Sequence, residues 1–217
     1  MICVSSINSI KVNQSNILNS DNINVFNELI QSNLIDLIDK LNSNIRFNLV
    51  YSSELDGKDC LIIQSKLMDK SNLMFLVKTD DGKTFGIYTS QILNYNNQPK
   101  YDNQLSLFSV DLNEWFNVQT KSELILPCQF NVNDYIGYGL QLAYFTIVIL
   151  DSNNKSYYTN LEIYSDKVFN MKGYKLSEVF GGQDSDDSDY TKLTGLGIFT
   201  DINIVDIEVY QLEFDVE

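Results

Sequence analysis

With 217 residues, 44% of them apolar and 12% aromatic, the chain holds enough apolar material for one sizeable core of mixed or β-rich type. Its formal net charge is −14, with a single arginine, Arg46, and no histidine. Such a balance repels phosphate backbones and anionic lipid, which argues against nucleic acid or a membrane surface and for basic protein partners.

Residues 1–20 are polar and rich in Ser and Asn, and read as an N-terminal arm that orders only by docking on something. Residues 21–217 read as one domain, without internal repeat or linker. Asp21 and Asn33 are predicted N-caps of two short helices. The second carries Leu34, Ile35, Leu37, Ile38 and Leu41 at helical spacing, a stripe expected to pack on the sheet.

Strand-like patterning begins at Ile45. Arg46 to Tyr51 is followed by a turn at Asp56-Gly57, then by the apolar runs Cys60–Ile63 and Leu73–Lys78. Asp80-Asp81-Gly82-Lys83 predicts a hairpin turn returning through Thr84–Tyr88, since Asp-Gly supplies the positive φ angles such turns need. Further strands are predicted at Leu105–Val110, Tyr144–Leu150 and Ile202–Leu212. In the closing strand Val205, Ile207 and Val209 share one face and Asp206, Glu208 and Tyr210 the other. Ile202 and Ile204 have the opposite parity, which predicts a bulge or bend near Ile204. The fold class expected is α+β, mostly β: a two-layer antiparallel β-sandwich with short peripheral helices.

No constellation for chemistry stands out. Without histidine, Ser-His-Asp and Cys-His arrangements cannot be built, and one arginine is little to clamp phosphates with. Cys3, Cys60 and Cys128 form no CxxC and read as reduced, mostly buried thiols. Gly137-Tyr138-Gly139 lacks the frame of a phosphate cradle and reads as a backbone bend before a strand. Asp184–Asp189, inside the acidic stretch Gly181–Gly195, and Asp151–Glu162 both fail the EF-hand pattern, so the first is a solvated loop. Glu208 reads as a carboxylate on the outward face of a sheet, solvated or hydrogen-bonded to a neighbouring strand; an acid/base role needs a second carboxylate and a pocket. The expectation is therefore a protein that is not an enzyme: no catalytic residues, no cofactor-binding residues, no metal-binding residues and no cofactor. The N-terminus has no basic region followed by an apolar one, and no 18-residue apolar run occurs. Neither secretion nor membrane insertion is expected.

One resemblance joins these fragments. Phe47, Leu49-Val50-Tyr51-Ser52, Asp56-Gly57, Lys78, Gly82, Phe85-Gly86, Tyr88, Ser90, Leu107-Phe108-Ser109-Val110 and the closing Ile202, Ile204, Ile207-Glu208-Val209-Tyr210 occur in this order. The set resembles the TLDc domain, shared by oxidation-resistance proteins and other regulators of the vacuolar proton ATPase. Phe47 stands where tryptophan is more usual, and Ser156–Asn160 is closer to the form seen in protist members of the family. The resemblance covers roughly residues 20–214 and implies a minimal, stand-alone member. It also implies a non-catalytic cytoplasmic protein that binds and regulates that ATPase, linked to oxidative-stress resistance. The alternative is a structural subunit of a large ciliary or cytoskeletal assembly. In either case, contacts are expected from residues 1–20 and Asp184–Asp189.

Overall fold

The structure is a computed structural model that describes residues 15–34, 45–57, 60–80, 82–92, 100–102, 104–117, 122–124, 130–132, 135–142, 145–149, 157–161 and 201–214. Its helices are α1 (Ile23–Asn33), α2 (Ser53–Asp56) and α3 (Cys60–Leu67). Its strands are β1 (Ile45–Ser52), β2 (Leu73–Thr79), β3 (Thr84–Thr89), β4 (Lys100–Asp102), β5 (Ser106–Ser109), β6 (Glu114–Asn117), β7 (Ser122–Leu124), β8 (Phe130–Val132), β9 (Tyr135–Leu142), β10 (Phe145–Ile149), β11 (Tyr157–Leu161) and β12 (Asp201–Phe214). The fold is α+β and mostly β. Ten strands run β6-β5-β3-β2-β12-β11-β10-β9-β8 with β1 also on β12, and β4 pairs β7 in a separate ribbon. All of these pairings are antiparallel. Among the described residues no helix is long and apolar enough to cross a membrane.

The predicted hairpin forms as the Asp-Gly signal requires. Lys78 faces Thr84 across the β2–β3 ladder, Gly82 takes a φ of +88°, and the Thr79 N–H donates to the Lys83 carbonyl at 3.0 Å. The bulge foreseen near Ile204 is also present. Ile204 faces Thr79 and Asp206 faces Lys78, so the register slips across Val205 and leaves that side chain 42% exposed.

Three expectations are corrected. Cys60–Ile63 belongs to a helix, α3, where the sequence points to a strand; a short apolar run has no period to separate the two. Gly137 and Gly139 lie inside β9, facing Phe130 and Val148, and make no bend before a strand. The cap of α1 sits at Asn22, one residue after Asp21: Asn19 Oδ1 accepts the backbone N–H groups of Asp21 and Asn22, and Asn22 Oδ1 accepts that of Asn19. Asn33 donates its side-chain amide to the Leu29 carbonyl, closing α1. The helix expected after it, together with Cys3, Cys128, Tyr144, Asp151–Ser156, Glu162 and Gly181–Gly195, lies outside the described residues.

Register explains the core. Glu208, Leu76, Gly86, Phe108 and Trp115 face one another in a single row across β12, β2, β3, β5 and β6, and so share one side of the sheet. Tyr210, Met74 and Tyr88 form the next row on that side. Helix α1 covers it with Phe26, Leu29 and Ile30, spaced as one helical stripe, and with Leu34 just beyond. Phe26 packs against Phe47 and Phe108 with ring centroids 5.9 and 6.0 Å apart. The Phe108 and Trp115 rings stack at 5.1 Å with an interplanar angle of 7°. On the other side Val209, Phe75 and Ile87, and Ile207, Val77 and Phe85, are buried too.

Gly86 is what lets the first row close. A Cβ there would overlap the Phe108 ring and the Phe75 carbonyl oxygen. Gly86→Ala should therefore cost about 3 kcal/mol or prevent folding, by overpacking against backbone that cannot yield. Urea unfolding monitored by circular dichroism checks this, and a wild-type midpoint would refute it.

Candidate functional site: the carboxylate clip of the closing strand

Strand β12 is paired along both edges, and one edge is shared between two strands. Ile204 pairs with β2 and β11 alike, while Glu208–Gln211 pair with β2 and β1 alike. Strands β11 and β1 therefore lie end to end opposite β2, and their registers on β12 stop at Ile204 and resume at Glu208. The one-turn helix α2 fills that interval. Its Ser53 hydroxyl accepts the Ile207 N–H at 2.9 Å and donates to the Asp206 carboxylate. Asp206 Oδ1 accepts the same N–H at 2.9 Å, so Ser53 and Asp206 together satisfy this buried backbone donor.

Immediately beyond, Glu208 departs from the sequence reading. It is wholly buried, on the side of the sheet that carries Tyr210 and Leu212, and its partners come from its own strand and from the N-terminal segment. The Ser15 hydroxyl donates to Oε2 at 2.6 Å, the Asn16 backbone N–H to Oε1 at 2.7 Å, and the Tyr210 hydroxyl to Oε2 at 2.8 Å. Ser15 Oγ in turn accepts the N–H groups of Ile17 and Leu18 at 3.1 and 2.8 Å, forming a tight turn. That turn places Ile17 and Leu18 in the core beside α1. Asn16 adds a second tie, its side-chain amide donating to Glu54 at 2.6 Å. Residues 15–18, expected to order only by docking, dock in cis on the sheet.

Electrostatics agree with this assignment of donors. Burial first, and then the charge of Glu208, holds the Tyr210 phenol well above its ordinary range, so it remains a proton donor. Burial, followed by the charge of Asp102, does the same for Tyr88. Asp102 is itself fully buried and engaged by Thr89 Oγ1, Ser90 N and Oγ, and Gln104 N at 2.6–2.9 Å. At the surface Lys66 Nζ meets Asp56 at 2.9 Å and the Ser52 N–H donates to the same carboxylate at 3.0 Å. The Lys66 hydrogen bond and then that of Ser52 pull Asp56 below its ordinary value of 3.8.

Chemically, this arrangement is a buried acceptor that draws in a chain segment remote in sequence. Of the contacts expected at residues 1–20 and Asp184–Asp189, the structure describes residues 15–20 only. Sequence reasoning misses the Glu208 clip because strand alternation marks a side as polar without saying whether anything covers it. The signal present in the sequence is a lone Glu between Ile207 and Val209, two residues before a tyrosine able to donate to it.

The sequence profile of the TLDc domain matches residues 11–213, from before the clip to the penultimate residue of the β1–β12 ladder. The chain belongs to the TLDc domain family. No curated protein matches it. Within this TLDc domain the matched span takes in both arms of the clip, Ser15-Asn16 and Glu208-Val209-Tyr210.

Glu208→Ala should destabilise the domain by about 3 kcal/mol, because it removes three charge-assisted hydrogen bonds at once and leaves the buried Tyr210 hydroxyl without its acceptor. Hydrogen exchange would show Asn16–Leu18 losing protection first; unchanged protection there would contradict the clip. Ser52, which faces Glu208 in the ladder, has a buried Oγ with no partner. Ser52→Ala should accordingly be neutral or stabilising in the same urea titration.

A pH dependence follows from Asp56, whose folded-state value lies below its ordinary one. Its contribution is complete above 3.8 and is lost as pH falls through the lower, folded value. Urea midpoints of wild type and Asp56→Asn should differ at neutral pH and converge below about pH 3.8. A difference that persists undiminished in acid would contradict this.

Proposed function

We propose that this TLDc protein is non-catalytic, and that it binds and regulates the vacuolar proton ATPase with oxidative-stress resistance as the downstream effect. The observation that carries the reading is the family match over residues 11–213. Composition supports it. A chain of net charge −14 with one arginine and no histidine suits protein contact better than phosphate chemistry or histidine-based catalysis. The buried carboxylates support it as well. Glu208 and Asp102 are each occupied by three or more donors from the protein, which fits a structural use of both.

The purified full chain should bind the intact ATPase and change either its ATP hydrolysis or the retention of its peripheral sector. Co-sedimentation combined with a hydrolysis assay measures both. Absence of binding, with hydrolysis and sector retention unaltered, removes the proposal.

A further inference from the structure

Among the described residues the most exposed large apolar side chain is Leu55, 72% accessible, at the middle of the one-turn helix α2. It sits on a rigid mount. Ser53 is fixed to Asp206 and Ile207, Glu54 to Asn16, and Asp56 to Ser52 and Lys66. Gly57 then ends the turn with a φ of +84°. An apolar group so held loses little conformational freedom when a partner covers it.

Exposed apolar side chains also occur on the neighbouring helix. The Asp56–Lys66 ion pair ties α2 to α3, and Ile62, one helical turn before Lys66 on the same face, is 36% exposed. Met68, just past the end of α3, is 46% exposed. Charge beside Leu55 is acidic, while Asp69 and Lys70 offset one another beyond Met68. Glu54 is held by the neutral Asn16 amide, and Asp206 by the Ser53 hydroxyl and the Ile207 N–H. Lys66 is already committed to Asp56. An aliphatic crest rimmed by carboxylates suits an apolar anchor in a basic setting, and the net charge of −14 steers basic segments towards the whole molecule.

We propose that the shoulder formed by α2 and α3, with Leu55 at its crest, is a docking surface for a protein segment carrying an aliphatic anchor flanked by lysine or arginine. The assignment stands apart from the ATPase reading: peptide binding reports on the surface and the hydrolysis assay on regulation, so either can fail alone.

The test titrates the 15N-labelled full chain with synthetic peptides of equal length. One has a central leucine flanked by lysines, another glycine in place of the leucine, a third glutamates in place of the lysines. Saturable amide shifts at Glu54–Asp56 and Ile62–Lys66 are expected with the lysine–leucine peptide alone, weakening as salt is raised. Leu55→Asp should bind that peptide roughly tenfold more weakly, and its unchanged thermal midpoint shows that the fold is intact. No saturable binding, equal binding of either control peptide, shifts centred elsewhere, or undiminished binding to Leu55→Asp each overturns the proposal. So does concentration-dependent dimerisation abolished by Leu55→Asp, since the surface would then belong to a second copy.

Discussion

The ten-stranded sheet is tied together by the double pairing of β12. One edge carries β2 along Ile204–Gln211; the other carries β11 and β1 in succession. An edge shared by two strands has a short interval where one register has stopped and the next has not begun, and a buried N–H in that interval has to find a partner. The sequence answers with a serine at the point where β1 runs into α2. Ser53 turns a break in the sheet into a join, and so fixes where α2 sits and which way Leu55 faces.

The same strand brings a carboxylate into the core. Burying a carboxylate such as that of Glu208 is tolerable only if its oxygens are met by donors of good geometry. Among the described residues, two of its three donors belong to residues 15 and 16, so the cost of burial is offset while the N-terminal segment is seated. Ile17 and Leu18 are buried by the same seating, each contributing about 1.5–3 kcal/mol if fully removed from water. Polar and apolar ties therefore act together, and neither half of the clip is independent of the other.

Local features are legible in the sequence. Asp-Gly marks the β2–β3 turn, parity marks the bulge at Val205, and the ordered landmarks from Phe47 to Tyr210 point to the family. Three kinds of feature are not legible. Cys60–Ile63 is apolar at every position, so neither a period of two nor one of 3.6 can be read from it. Short strands such as Lys100–Asp102 and Phe130–Val132 exist through their partners, and three residues carry too little pattern to announce that. Alternation assigns Glu208 to an outward face because it assumes water on the polar side. What covers it lies 192 and 193 residues earlier in the chain, beyond any window of local reading.

That separation bears on how the molecule is made. Ser53 meets Ile207 across 154 residues, and β1 and β2 have no direct ladder between them, only the strand that later slots in between. During synthesis their two hydrogen-bonding edges stand open until β12 emerges, a loop-closure problem that slows folding and invites pairing with other chains. A ribosome that stalls anywhere in that interval carries a nascent polypeptide with its central slot vacant. Such a product is a natural client for chaperones and for quality control.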